Sequence, residues 1–147
     1  MKTVWTNGCF DVLHRGHIEM LKYAKSLGDK LIVGLDTDDK VRLAKGPNRP
    51  FNTLEDREFL VGSIRYVDET ISFSSKSDLE SLIKSVKPDI LVVGSDWEGK
   101  YVVGSQYAKE LKFFNRIGEY STTKILQKIL QLGKKSNGMD KFSERSY

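Results

Sequence analysis

Short apolar runs alternate along this chain with longer segments in which apolar residues recur every three or four positions. The runs at residues 3–6, 30–36, 70–73, 89–93 and 112–114 have the length and the β-branched or aromatic content of strands. Two of them, 30–36 and 89–93, are apolar almost throughout, which is typical of strands covered on both faces of a parallel sheet. The pattern therefore predicts five strands, two of which are deeply buried.

Helical spacing fills the intervals between these strands. The sequences at 53–56 and 77–80 predict helix-starting capping boxes, with Thr53 and Ser77 as the caps. Ser121 predicts a further N-cap, and Gly133 predicts the end of the helix that follows. The apolar positions of the four predicted helices are Met20, Leu21, Ala24 and Leu27; Leu60, Val61, Ile64 and Val67; Leu79, Leu82, Ile83 and Val86; and Ile125, Leu126, Ile129 and Leu130.

Alternating strands and helices with apolar strands predict an α/β fold: a Rossmann-like, doubly wound, mostly parallel five-stranded sheet with helices on both faces. In such a sheet, ligands bind beyond the carboxyl ends of the strands, where the strand order reverses. We expect one domain over residues 1–132, followed by a flexible polar tail over 133–147. Residues 45–50 contain two prolines, a glycine and two cations and are a candidate lid.

Composition narrows the class of protein. A chain of 147 residues with 39% hydrophobic and 30% charged residues fits one soluble domain, and no apolar stretch approaches the roughly 20 residues of a membrane span. The first residues lack the features of a signal peptide, so we expect a cytoplasmic protein with no membrane partner. The net charge of +4 is modest and no basic run is interleaved with aromatic residues, so we expect no nucleic-acid partner.

The segment from Gly8 to His17 carries the clearest chemistry. It joins a predicted strand to a predicted helix and contains both histidines of the chain, His14 and His17, close to the helix start. Helix N-termini present unpaired N–H groups and the positive end of the helix dipole, so this layout predicts a phosphate site. Zinc normally needs three or four protein ligands, and two histidines with the single Cys9 do not supply them, so we expect no protein-held metal centre.

The motif Gly8-x-Phe10-Asp11-x-x-His14-x-Gly16-His17, together with Ser121-Thr122-Thr123, resembles the nucleotidyltransferase superfamily that includes the cytidylyltransferases. The likeness extends from residue 3 to about residue 130. It implies an enzyme that joins a nucleoside triphosphate to a small phosphorylated acceptor and releases pyrophosphate. It also implies Mg²⁺ as a cofactor and a homodimer as the assembly.

Two branches of that superfamily compete for this chain. Arg116 and the segment 96–100 resemble glycerol-3-phosphate cytidylyltransferase, whereas Cys9 and the segments 45–52 and 103–105 resemble the adenylyltransferase domain of ADP-heptose synthases. Weighing Arg116 and 96–100 more heavily, we expect CTP and glycerol 3-phosphate as substrates. ATP with a sugar phosphate is the alternative, and a non-catalytic nucleotide-binding module is a third possibility from another class.

The resemblance also implies roles for individual residues, which fall into a catalytic, a nucleotide-binding and an acceptor-binding group. Structural alternatives stay open for several of them: a solvated loop for Lys45, a turn or Mg²⁺ position for Asp11, a helix surface for Arg57, the sheet edge for Trp97 and a solvated position for Lys100. For Arg116, Asp38 and Asp96 the alternative is an ordinary structural or loop position. The implied groups are His14, His17, Lys45 and Arg116 for catalysis; Gly8, Cys9, Phe10, Asp11, Gly16, Asp96, Ser121, Thr122 and Thr123 for the nucleotide; and Asp38, Arg57, Trp97 and Lys100 for the acceptor.

Overall fold

A computed structural model of the protein describes residues 1–135. The residues of the expected tail from 136 onwards lie outside the described part of the chain. The elements, in chain order, are β1 (Thr3–Gly8), α1 (Arg15–Ser26), β2 (Lys30–Asp36), α2 (Asp38–Lys45), α3 (Leu54–Gly62), β3 (Glu69–Phe73), α4 (Lys76–Val86), β4 (Ile90–Gly94), two short 3₁₀ turns (Ser95–Trp97 and Ser105–Tyr107), β5 (Glu110–Phe114) and α5 (Thr122–Lys135).

The five strands form one sheet in the order β3-β2-β1-β4-β5, and all four strand pairings are parallel. The register of the longest pairing runs from Thr3 beside Lys30 to Gly8 beside Leu35. The chain fills one half of the sheet outward from β1 and then returns to place β4 on the other side of it. The strand order therefore reverses between β1 and β4, as in a doubly wound fold, and the Rossmann-like prediction is confirmed.

Two apolar clusters cover the two faces of this sheet. Val4 belongs to one cluster, with Leu21 of α1 and Val61 of α3. The adjacent Trp5 belongs to the other, with Ile83 of α4. Neighbouring strand residues point to opposite faces, so one strand feeds both clusters. None of the described helices has the length and apolar character needed to cross a membrane.

The structure departs from the predicted elements at three helix boundaries. Helix α3 begins after the predicted cap Thr53 but ends at Gly62, so the apolar residues 64 and 67 pack on the core from outside the helix. Helix α4 begins at Lys76, because the Ser75 hydroxyl accepts the Asp78 N–H at 3.0 Å; the prediction of Ser77 as the cap was wrong. Helix α5 continues past Gly133 to Lys135 instead of ending there.

Helix α2 was not predicted at all. Thr37 caps it by accepting the Lys40 N–H, and Asp38 and Asp39 lie in its first turn, where carboxylates favour the helix dipole. Only Val41 of this helix is buried, and Leu43 is 90% exposed. A helix that buries one side chain leaves almost no apolar periodicity in the sequence, which explains why the pattern missed it.

Candidate functional site

An open cavity of about 360 Å³ lies at the carboxyl ends of β1, β4 and β5, where the strand order reverses. A smaller cavity of about 160 Å³ shares part of its lining with the first. Of the residues implied by the sequence, the larger cavity is lined by His14, Gly16, His17, Lys45, Asp96, Trp97, Arg116, Ser121, Thr122 and Thr123, and the smaller by Gly8, Cys9, Phe10, Asp11, His17, Lys45 and Thr122. Asp38, Arg57 and Lys100 line neither cavity.

The loop between β1 and α1 has an unusual backbone. Phe10 and Val12 both adopt positive φ angles, 53° and 49°, which side chains of this kind rarely adopt. Phe10 is buried in the core, and the Thr122 hydroxyl hydrogen-bonds the carbonyl oxygens of Asp11 and Val12, at 2.8 and 3.1 Å. A strained conformation persists only where its surroundings fix it. The packing of Phe10 in the core and the hydrogen bonds from Thr122 at the start of α5 therefore hold this loop in place.

The two histidines form one unit at the start of α1. His14 is the N-cap residue, and its backbone N–H donates to Nδ1 of His17 at 3.1 Å. Their rings are stacked, with centroids 3.8 Å apart. Because Nδ1 of His17 accepts a hydrogen bond, a neutral His17 carries its proton on Nε2. Its Nε2–H is therefore a donor, which is the group that a phosphate oxygen requires.

Gly16 leaves the space that the His14 ring occupies. A Cβ atom at this position would lie 2.9 Å from Cε1 of His14, closer than real Cβ atoms approach a neighbour, and 3.1 Å from Cβ of Tyr120, which is also tight. A side chain at position 16 would therefore force the His14 ring to shift.

Both histidines are held in the neutral state at pH 7. The pKa of His17 is lowered to about 4, mainly by burial and to a smaller extent by the nearby His14 and Lys45. Burial, followed by the charge of Arg116, lowers the pKa of His14. The histidines consequently contribute hydrogen bonds at neutral pH, and the positive charge of the site comes from the lysine and arginine residues that line it.

Asp11 has a structural role that the sequence left open. Its carboxylate accepts the backbone N–H groups of Phe51 and Asn52, at 2.6 and 2.9 Å, and lies 3.4 Å from Nε of Arg49. Its side chain is 1% exposed. Through these contacts the buried carboxylate fastens the segment after α2 to the loop after β1.

Arg57 is also internal, although we expected it at the acceptor. Its guanidinium donates to the carbonyl oxygens of Cys9 and Asn52, at 2.9 and 3.0 Å, and to the carboxylate of Asp38 at 2.7 Å. The residue is 0% exposed, and neither it nor its partner Asp38 lines either of the two cavities. Arg57 instead ties together the loop after β1, the start of α2 and the segment before α3.

The opposite wall of the larger cavity comes from β4, β5 and α5. The Arg116 side chain lies 3.4 Å from the Asp96 carboxylate, and both are largely exposed. The Ser121 hydroxyl accepts the Lys124 N–H at 3.4 Å at the start of α5, consistent with its predicted capping position. Lys100 lies over the Trp97 ring, 5.9 Å from its centroid. The predicted second helix terminus therefore faces the first across one cavity.

Several lining residues were not identified from the sequence. Tyr120 lies nearly parallel to the His14 ring, with centroids 6.2 Å apart, and is 40% exposed. Met20, Phe114 and Ile117 complete the apolar part of the lining. The position of Tyr120 immediately before the Ser121 cap is the one sequence signal that could have identified it.

Comparison with known proteins agrees with this geometry. A sequence model of the family described as cytidylyltransferase-like matches residues 5–134. The bifunctional protein HldE of Sulfurimonas denitrificans is 51% identical over 128 residues, and that of Helicobacter hepaticus is 48% identical over 128 residues. Each alignment covers 87% of this chain, which spans about a quarter of the length of these curated relatives, 27% and 26% respectively.

Solved structures show the same fold. The lipopolysaccharide core biosynthesis protein from Thermoplasma volcanium matches with a TM-score of 0.65 and 29% identity, over 82% of this chain and 99% of its own. Pantothenate synthetase from Thermus thermophilus has the same fold, with a TM-score of 0.56 and 13% identity over 81% of this chain and 57% of its own. The chain therefore belongs to the cytidylyltransferase-like family of nucleotidyltransferases.

Proposed function

We propose that this protein transfers AMP from ATP to a sugar phosphate of the heptose 1-phosphate type and releases pyrophosphate. The observation that carries nucleotidyl transfer is the single cavity in which His14 and His17 at the start of α1 face Arg116 and the start of α5. Two helix N-termini and flexible cations around one cavity are suited to a triphosphate.

The choice of ATP rests on the relatives. The HldE proteins belong to the ADP-heptose synthase branch, which the segment 45–52 and Cys9 already resembled. They support the adenylyl alternative better than the CTP and glycerol 3-phosphate reading that we favoured from Arg116 and 96–100. Lys100, one basis of that reading, lies against Trp97 and outside both cavities.

The chemistry needs charge neutralisation and positioning more than acid or base catalysis. A phosphate oxygen of the acceptor attacks the α-phosphorus, and pyrophosphate leaves from the opposite side. The attacking oxygen is already ionised at neutral pH, so no protein group has to remove a proton. The Nε2–H of His17 would donate to a non-bridging oxygen of the α-phosphate, while Lys45 and Arg116 would neutralise the charge on the phosphate groups.

The donor set fits a Mg²⁺ ion that is carried mainly by the triphosphate. Within residues 1–135, no group of three histidine, cysteine, aspartate or glutamate side chains is placed to hold a metal. Magnesium often uses only one or two carboxylates, with phosphate oxygens and water as its other ligands. Asp96, which lines the larger cavity, is the carboxylate placed to add one ligand, and the ion would supply further neutralisation of phosphate charge.

A substrate matrix tests the proposal. The protein is incubated with Mg²⁺ and either ATP or CTP, in combination with heptose 1-phosphate or glycerol 3-phosphate, and pyrophosphate release is measured. We expect turnover with ATP and heptose 1-phosphate. Turnover with CTP alone would overturn the adenylyl assignment, and no pyrophosphate from any combination would overturn nucleotidyl transfer.

Removing either histidine tests the mechanism. His14→Ala and His17→Ala should each lower kcat by about a hundredfold or more, since each removes a preorganised hydrogen-bonding group from the phosphate site. Thermal unfolding monitored by circular dichroism checks that the variants are folded. Near-normal turnover in both folded variants would contradict the role given to this pair.

A further inference from the structure

The two cavities differ in their lining residues, so each is suited to a different kind of ligand. The larger one has Trp97 and Tyr120 in its lining, and these exposed aromatic side chains are suited to a nucleoside. The smaller one is lined by Asn7 and by the buried Phe10, without an exposed aromatic ring among its described lining residues. A small, polar, non-aromatic molecule is therefore the better occupant of the smaller cavity.

Arg49 lies at the junction of these two spaces. It lines both cavities, as do Lys45 and His17. Its side chain is 15% exposed, and its one hydrogen bond within residues 1–135 is the 3.4 Å contact from Nε to Asp11. An arginine has five N–H donors, and this contact uses only the one on Nε. The two terminal nitrogens therefore have no partner in the described part of the chain. They form a fork of the kind that binds a phosphate through two hydrogen bonds.

The reaction geometry decides which phosphate this fork binds. In an in-line displacement, the attacking oxygen and the departing pyrophosphate lie on opposite sides of the α-phosphorus. Arg116, Ser121 and Thr123 line the larger cavity but not the smaller one, on the side assigned to the pyrophosphate. His17 lines both cavities, which places the α-phosphate beside it. The acceptor phosphate then falls on the side of Lys45 and Arg49.

We propose that the smaller cavity is the acceptor subsite and that Arg49, assisted by Lys45, binds the phosphomonoester of the acceptor. This inference rests on the proposed function. An oxygen of the bound phosphomonoester forms a bond to the α-phosphorus, the bond from that phosphorus to the bridging oxygen of the β-phosphate breaks, and its electron pair leaves with pyrophosphate. The acceptor is mainly a dianion at pH 7, so no proton has to be transferred.

Removal of the Arg49 side chain should leave its loop in place. Asp11 keeps two shorter hydrogen bonds, from the backbone N–H groups of Phe51 and Asn52, when Arg49 is replaced. Arg49→Gln therefore removes the charge and the fork without unfastening the segment. Arg49→Lys keeps the charge but lacks the fork, and the exposed Arg42 of α2, paired with Asp39, offers a matched control as Arg42→Gln.

Steady-state kinetics with ATP and heptose 1-phosphate separate the two ligands. We expect Arg49→Gln to raise the KM for heptose 1-phosphate by about tenfold or more, as loss of a charge-assisted hydrogen bond implies, with the KM for ATP changed less than about twofold. Arg49→Lys should give an intermediate increase, and Arg42→Gln should match the wild type. An increase confined to the KM for ATP, or no increase in either KM, would overturn the subsite.

Calorimetry keeps this test separate from the test of the activity. Heptose 1-phosphate is titrated into the wild-type protein and into Arg49→Lys, whose retained charge protects the fold. Weaker binding to the variant, with ATP binding unchanged, supports the subsite even if turnover is not observed and the proposed function fails. Equal binding of heptose 1-phosphate to both proteins would overturn the subsite even if the wild type turns over ATP.

Discussion

Acidification should destabilise this protein mainly through His17, and the lowered pKa of that residue sets the size of the effect. The pKa of histidine is 6.5 without perturbation and falls to about 4 at this position. Between those values the unfolded chain binds a proton that the folded protein excludes. The free energy of unfolding should therefore decrease as the pH falls from 6.5 to about 4, by about 3 kcal/mol in total, at about 1.4 kcal/mol for each tenfold change in proton affinity.

A variant isolates this contribution from the other titrating groups. His17→Asn places an amide oxygen near the position of Nδ1, where it accepts the His14 N–H, but it does not titrate. His14 is retained in both proteins, and its own lowered pKa arises from burial and Arg116 rather than from His17. The difference between the two proteins should therefore report His17.

Urea unfolding followed by circular dichroism, repeated from about pH 7 to about pH 4, measures this difference. We expect the wild type to lose about 3 kcal/mol more than His17→Asn over that interval, with the separation growing mainly below pH 6.5. Parallel stability curves for the two proteins would refute the argument, because they would mean that His17 binds its proton equally well in the folded and unfolded states.

Two further substitutions separate the site from the structure that supports it. Gly16→Ala should lower kcat/KM by at least about tenfold, because the new Cβ would displace the His14 ring, which now lies within 3 Å of that position. The free energy of unfolding, measured with urea, should change by less than about 1 kcal/mol. Full activity of this variant would contradict the steric argument. Arg57→Met should destabilise the protein by about 3 kcal/mol, since Asp38 and two carbonyl groups lose a buried partner. Arg42→Gln, on the exposed face of α2, is the control and should change stability by less than about 0.5 kcal/mol; equal effects of the two substitutions would show that the Arg57 contacts contribute little.

The central strands were the most predictable, because burial on both faces of the sheet favours apolar residues at successive positions. Residues 31–35 of β2 are all buried, and the sequence there is apolar apart from one glycine. The helix caps were less certain for a reason visible in the residues themselves. Ser75 and Ser77 are each followed three positions later by a carboxylate, so either could begin α4, and the structure selects Ser75. Periodicity alone does not distinguish two equivalent caps that lie two residues apart.

Part of the candidate site was predictable from the sequence and part was not. The motif around His14 and His17 is local, so its position at a strand end and helix start follows from the sequence. Asp11 and Arg57 each have a partner that is distant along the chain: Asp11 lies 40 positions from Phe51, and Arg57 lies 48 positions from Cys9. No pattern within a short window indicates such pairings. Their charges therefore resembled ligand-binding groups, whereas the structure uses them to join loops.

The hydrogen bond from Thr122 to the Asp11 carbonyl has a consequence for the order in which the protein folds. The two residues are 111 positions apart; Asp11 lines the smaller cavity, and Thr122 lines both the smaller and the larger one. Closing so long a loop is entropically costly, so this contact is favourable only after the sheet between the two residues has assembled. The walls that Thr122 contributes to the two cavities are therefore among the last features to form during folding, and an intermediate with a complete sheet and both histidines in place would still bind nucleotide weakly.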